Sequence, residues 1–172
     1  MIPLIRRIRP DDVALARALR LRALASDPSS FSSTYEAEIV REDSFWAHSA
    51  QNHAESRDCA IFLAFHDQDP VGLVRGGRDP SRPDIFFIHS MWVTREARRR
   101  GVARALLEAV ETWIASRGGR ECELAVTDAA LAARRLYERS GYAADGPWEP
   151  SRRAGSKEQR MRKMLSQEPG TP

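Results

Sequence analysis

The sequence predicts an α/β (α+β) domain, a mixed sheet flanked by helices, and three observations carry that expectation. Short apolar runs at residues 59–65, 71–76 and 85–93 follow one another across turn residues, as neighbouring strands do. Residues 121–126 alternate Cys122, Leu124 and Val126 with Glu121, Glu123 and Ala125, the two-residue period of a strand with one buried face. Val102, Ala105, Leu106, Ala109, Val110, Trp113 and Ile114 instead recur at three- and four-residue steps and share one helical face. Helices and strands that alternate around a central run of strands argue for a sheet with helices packed on it.

In chain order, residues 4–8 read as a first strand, and 11–25 as a helix with Val13, Leu15, Ala16, Leu19 and Leu21 among its apolar positions. Residues 28–38 read as loop or short helix, and 43–56 as a helix carrying Phe45 and Trp46. Strands 59–65 and 71–76 meet at a turn over 67–70, and the polar, proline-containing stretch 77–83 leads into the central strand. After strand 121–126 the segment DAALAARRLYERSGY, residues 128–142, reads as a helix, with Asp128 as an N-cap candidate and Gly141 as its stop. Residues 142–148 and 159–165 read as the last strands and 150–156 as an exposed linker. One domain over 1–166 and a disordered tail over 167–172 complete the reading.

Composition excludes several classes of protein. The 172 residues suit one core, and no apolar run approaches the roughly 20 residues that span a membrane. The start MIPLIRRIRPDD has no apolar signal-peptide core, so the reading is cytoplasmic, with no membrane partner. Cys59 and Cys122 fall in strands and read as core residues, and His48, His53, His66 and His89 have no metal-ligand spacing. No metal is expected. The net charge is +3, with basic residues gathered at 95–104 and 152–163. Neither patch has the interleaved aromatics that stack nucleic-acid bases, so no nucleic-acid partner is expected.

The densest signal is the junction from Val93 to Ala103. An apolar strand ends there, a run of arginines follows, and the amphipathic helix begins after Gly101. The first N–H groups of a helix have no internal partner and the helix dipole is positive at that end, which suits phosphate. Gly101 and Ala103 keep side chains out of the way, and Arg98, Arg99, Arg100 and Arg104 add positive charge. The competing reading is an ordinary helix start with solvated arginines.

HSMWVTREARRRGVARALL and ARRLYERSGY together resemble the GNAT superfamily of N-acetyltransferases. In that family Arg or Gln, two residues, Gly, one residue, and Gly or Ala cradle the pyrophosphate of acetyl-coenzyme A; Arg98, Gly101 and Ala103 fill those positions. Leu136, Tyr137, Gly141 and Tyr142 match the family's next motif, and LRLRALASDPSSFSSTYEAE is similar to its first helix and substrate-side segment. Arg95 stands where proline is frequent, Arg99 and Ala103 where glycine is, and Ala130 where asparagine is. The resemblance implies a mostly antiparallel sheet of six or seven strands with about four helices, splayed fourth and fifth strands, and a β-bulge near Met91. It also implies that acetyl-coenzyme A is held by Met91, Trp92, Val93, Arg98, Arg99, Arg100, Gly101, Val102, Ala103, Arg104, Ala130 and Arg134. A homodimer is compatible with it.

The transfer must deprotonate an amine, stabilise an oxyanion and protonate a departing sulfur. Tyr137 is the candidate acid, since a phenol of pKa about 10 stays protonated and family members use the matching tyrosine so; a merely packed core tyrosine is the alternative. His89, on the central strand, is a candidate base with an ordinary pKa of about 6.5, or else a histidine bonded within the sheet. Glu36 and Glu38 are alternative bases, and a backbone N–H near Trp92 or Val93 is the oxyanion donor. Trp46, Trp92 and Trp148 are candidate walls of the acceptor site, and Glu36, Glu38, Glu42 and Asp84 candidates to draw in a cationic acceptor. A primary amine of a small molecule or protein terminus is the expected acceptor. A non-catalytic acyl-coenzyme A-binding module and a basic interaction protein are the competing functions.

Overall fold

The structure is a computed structural model that describes residues 3–151 and 155–166. The tail expected over 167–172 and part of the linker 150–156 lie outside the described residues. Among the described residues the strands are β1 (Leu4–Arg7), β2 (Cys59–His66), β3 (Asp69–Arg78), β4 (Ile85–Val93), β5 (Glu121–Thr127), β6 (Ala143–Ala144), β7 (Glu149–Pro150) and β8 (Lys157–Met164). The helices are α1 (Val13–Ser26), α2 (Tyr35–Ile39), α3 (Asp43–Glu55), α4 (Val102–Ser116) and α5 (Leu131–Arg139). The sheet runs β1-β2-β3-β4-β5-β8-β6, with β7 also on β8. Every pairing is antiparallel except β4 with β5.

The strand and helix numbers exceed expectation for local reasons. Of the strand read over 142–148 only Ala143–Ala144 pairs, because Gly146 takes φ +97° and is followed by Pro147, and a second two-residue strand forms beyond it at Glu149–Pro150. The short helix α2 forms because the Thr34 hydroxyl accepts from the Ala37 N–H at 3.2 Å. Asp128 does not cap α5. Its N–H still bonds Lys157 O at 3.0 Å, continuing the β5–β8 ladder, and the helix starts after Ala130 with no side-chain cap. Gly141 does end that helix, at φ +91°; its N–H bonds Glu138 O at 3.1 Å and the Tyr142 N–H bonds Tyr137 O at 3.0 Å. This Schellman arrangement folds Tyr142 back against Tyr137, their rings 5.9 Å apart.

Two cores form, one on each sheet face. On one, α4 sets Val102, Leu106, Leu107, Val110 and Ile114 against Ala60, Val74, Phe86, Ile88, Cys122 and Leu124. Each fully buried aliphatic side chain there stabilises by about 1.5–3 kcal/mol. On the other, α1 and α3 pack Leu19, Ala23 and Ala50 against Leu63, Leu73 and Trp92. Gly76 lets α4 approach β3: a Cβ there would lie 2.7 Å from Val110 Cγ2 and 3.2 Å from the Trp113 ring. Both cysteines are free, Cys122 buried and Cys59 partly so. No helix among the described residues is long and apolar enough to cross a membrane.

Two irregularities make the site. Along β3 and β4, Arg75 faces His89, but Leu73 faces Trp92. Ser90 and Met91 therefore share the single partner Val74, the bulge expected near Met91. Ser90 takes φ +57°, a left-handed conformation costing roughly 1–2 kcal/mol in a non-glycine residue. The second irregularity lies on the other edge of β4, where pairing with β5 covers only Ile85–Phe87 against Glu121–Glu123. Beyond it β4 runs to Val93 and β5 to Thr127 without meeting, which is the expected splay.

Gly76→Val should push α4 away from β3 and lower stability by about 1–3 kcal/mol. The check is urea unfolding followed by circular dichroism, with the midpoint falling and the slope unchanged.

Candidate active site

Where β4 ends, a 3-10 turn over Arg95–Ala97 carries the chain to Gly101, the N-cap of α4, at φ +81°. No side chain caps this helix, so the N–H groups of its first turn are left for another acceptor. A Cβ placed on Gly101 meets no atom within 4 Å; the space in front of the helix is open. A phosphate group fits there on both counts. Arg99 has φ +63°, so its backbone already adopts the conformation that glycine takes freely at this point of the motif.

The arginines divide by their partners. Arg99 and Arg100 are exposed and have no hydrogen bond or ion pair among the described residues. Arg98, though exposed, has partners within the chain. Its Nε donates to Val93 O at 2.9 Å and its Nη2 to Asp27 Oδ2 at 2.7 Å. The same Asp27 oxygen accepts from Trp92 Nε1 at 2.8 Å and from Ser26 Oγ at 2.8 Å. Burial raises the Asp27 pKa, but the bonds from Trp92, Ser26 and Arg98 outweigh it and hold the carboxyl below its ordinary value. Arg104 pairs with Glu108 at 2.7 Å. Arg134 pairs with Glu138 at 2.9 Å, donates to Gln159 Oε1 at 2.7 Å and lies over the Trp148 ring. Ala130 stands at the α5 N-cap and Ala103 is half-buried beside the opening.

Tyr137 is buried with Val93, Val126 and Tyr142, and its hydroxyl has no hydrogen bond among the described residues. Burial pushes its pKa up to about 12, so the phenol stays protonated. Tyr142, by contrast, donates to Glu111 at 2.7 Å, and Lys163 holds the other Glu111 oxygen at 2.7 Å.

On the opposite sheet face lies a cavity of about 250 Å³ between α1, α2, α3 and β3, lined among others by Arg20, Glu38, Trp46, Arg75 and Ser90. Ser90 is the bulge residue, so the cavity abuts the segment where β4 leaves its partner strand. Glu38 is bound through both oxygens by Arg20, at 2.7 and 3.0 Å. Its pKa is raised by burial yet held low overall by Arg20 and Ser33. Glu36 is exposed on α2 and does not line the cavity. α2 turns Glu38 inward and Glu36 outward. His89 is exposed but crowded, directly across the strands from Arg75. Desolvation and then the Arg75 charge push it down to about 4, well below the ordinary histidine range expected from sequence.

Asp27, Arg20 and Arg75 were not singled out from the sequence. For Arg75 a signal existed, a single charge inside the apolar run VGLVRGG. Asp27 and Arg20 offered none, their partners lying 71 and 18 residues away.

Over residues 20–142 the sequence matches the acetyltransferase (GNAT) family, and the chain belongs to that family. It is therefore an N-acetyltransferase whose acyl donor is acetyl-coenzyme A. The fold is similar to that of an acetyltransferase of the GNAT family from Streptococcus pneumoniae, with TM-score 0.82 at 22% identity, covering 96% of this chain and 100% of that one. It is also similar to a ribosomal-protein-alanine N-acetyltransferase from Brucella melitensis, with TM-score 0.78 at 17% identity over 94% and 99% of the two chains. The PaiA N-acetyltransferase from Thermoplasma acidophilum, solved in complex with coenzyme A, aligns with TM-score 0.74 at 16% identity over 96% and 100%.

Asp27→Ala should lower stability at pH 7 by about 1–3 kcal/mol, because Trp92 and Arg98 lose a shared acceptor. Since the folded pKa lies below the unfolded one, this contribution is whole above the ordinary carboxylate pKa and is lost as pH falls through the folded value. Urea unfolding of both proteins at pH 7 and in acid checks it, the gap between them narrowing in acid.

Proposed function

We propose that the protein acetylates a primary amine of a small molecule or protein terminus by direct attack on the thioester of acetyl-coenzyme A. The observation that carries the reading is the meeting, at one strand end, of the opening between β4 and β5, the uncapped start of α4 and the cavity behind Ser90. Bound acetyl-coenzyme A supplies an activated acetyl group. The backbone N–H groups of Val102, Ala103 and Arg104 receive its pyrophosphate, and Arg99 and Arg100 add charge without giving up an internal partner. Arg98 serves by pinning the loop to Val93 and Asp27. Because Arg98 occupies the Val93 carbonyl, the pantetheine arm is left the other backbone groups of Met91, Trp92 and Val93. Ala130 and Arg134 border the opening from α5.

In the transfer the amine nitrogen bonds the carbonyl carbon and the carbon–sulfur bond breaks. A backbone N–H near Trp92 or Val93 meets the charge that develops on the carbonyl oxygen. Tyr137 donates to the departing sulfur; the burial that raises its pKa raises that of a thiolate beside it too. His89 is neutral at pH 7 and accepts a hydrogen bond from the amine, but a group that titrates near 4 passes a proton on to water rather than storing it. Glu38, locked to Arg20, orients α2 and is not the base.

Titration calorimetry with acetyl-coenzyme A should give binding in the wild type and none in Gly101→Asp, whose carboxylate would occupy the phosphate position. Tyr137→Phe should bind the coenzyme as the wild type does while turnover falls roughly 10²- to 10⁴-fold; unchanged turnover removes Tyr137 from the chemistry. The pH profile of kcat/KM should lack a limb near the ordinary histidine pKa, and His89→Ala should lower its height without moving its midpoint.

A further inference from the structure

The acceptor-side cavity carries uncompensated positive charge. Arg20, Arg41 and Arg75 line it against a single carboxylate, Glu38, and both oxygens of Glu38 are taken by Arg20. Arg41 lies over the Phe45 ring, 4.2 Å from its centroid. Arg75 has no hydrogen bond or ion pair among the described residues, and its Nε is shielded from water without a partner. Trp46 Nε1 is a second shielded donor without a partner on a lining residue. Burial disfavours the Arg75 charge more than its neighbours Cys59 and Glu38 support it, and Arg20 opposes it. His53 and His89 are both held neutral, by desolvation first and by Arg75 next.

A partly buried guanidinium with no anion is costly, and its planar fork matches a carboxylate or a phosphate through paired N–H bonds, of which the carboxylate is the smaller. The rest of the lining is mostly apolar, with Phe45, Trp46, Leu63 and Leu73 among it, and adds the hydroxyls of Ser33, Ser49 and Ser90. At about 250 Å³ the cavity is smaller than the roughly 300–1,000 Å³ that takes drug-sized ligands. It does not suit the cationic acceptor that Glu36, Glu38, Glu42 and Asp84 suggested from sequence, since a second positive group would meet three guanidiniums.

We infer that the acceptor is a small amine that itself bears a carboxylate, an apolar α-amino acid in class, with its carboxylate on Arg75, its side chain against Phe45 and Trp46, and its amine toward the bulge at Ser90. The inference rests on the acetyl-transfer reading. The same positive surroundings favour the neutral amine over the ammonium ion, which is the form that attacks.

The test compares L-leucine, L-methionine and L-phenylalanine with their decarboxylated amines, their amides and their aminophosphonate analogues, following release of free coenzyme A thiol. The amino acids should exceed the decarboxylated amines and amides in kcat/KM by about tenfold or more, the scale of one hydrogen bond to a charged group. Arg75→Met should abolish that preference mainly through KM, Arg75→Lys should keep part of it, and both should bind acetyl-coenzyme A as the wild type does, which shows them folded. Equal or better use of the decarboxylated amines, a preference for the aminophosphonates, a preference untouched in Arg75→Met, or no turnover and no binding of any of these compounds would overturn the inference. Calorimetry with the amino acids alone separates the two readings. Binding that is lost in Arg75→Met supports the carboxylate site even if acetyl-coenzyme A fails to bind and the transfer reading falls.

Discussion

One additional residue in β4 governs what every later part of the site can do. Before the bulge, Phe86 and Ile88 face α4 and Phe87 and His89 face the other way. Without the extra residue, Trp92 would follow Ile88 onto the α4 face. With it, Trp92 joins the α1 core and Val93 joins the α4 core. A period of two admits no compromise, so a single insertion reverses every side chain beyond it. The reversal brings the indole to Asp27 and leaves Ser90 at the edge of the cavity. The left-handed backbone of Ser90 costs energy, and the two cores that claim Trp92 and Val93 hold it in place.

The cation distribution follows from pairing rather than from composition. Five arginines near the coenzyme loop look alike in sequence, but Arg98, Arg104 and Arg134 already have carboxylate partners. Arg98 also ties the loop to Val93 and Asp27. On the proposed reading, the backbone at the start of α4 is the main anion receptor, with Arg99 and Arg100 as a screened, exposed supplement. Deep in the cavity the balance is reversed, and Arg75 is the group without a counter-charge.

Much of the fold was legible in the sequence alone. The strong periodicities of α4 and β5 and the run of apolar strands appear where the sequence puts them. Gly141 was legible as a helix stop and Gly101 as a place where a side chain would stand in the way, and both take a positive φ. The misjudged pieces share a cause. Asp128 has a good capping side chain, yet its backbone continues a ladder with β8, and pairing across the sheet outweighs a local preference. The strand over 142–148 satisfied hydropathy but not the geometry of Gly146. Glu36 and Glu38 were equivalent on paper until α2 turned one inward. Which charge meets which is set by contacts between distant segments, and no spacing rule records them.

Helix α1 has a role that neither of its ends shows alone. Its middle supplies Arg20 to the cavity, while its last turn leads into Asp27, which fastens the loop before α4. On the proposed reading, both substrate sites rest on segments that this one helix positions. If seating the first substrate alters the helix's position, the second must feel it, and by the reciprocity of binding free energies it returns the influence in equal measure. Cooperativity between two sites is thus a property that a single helix can impose, without a hinge, a lid or a second subunit.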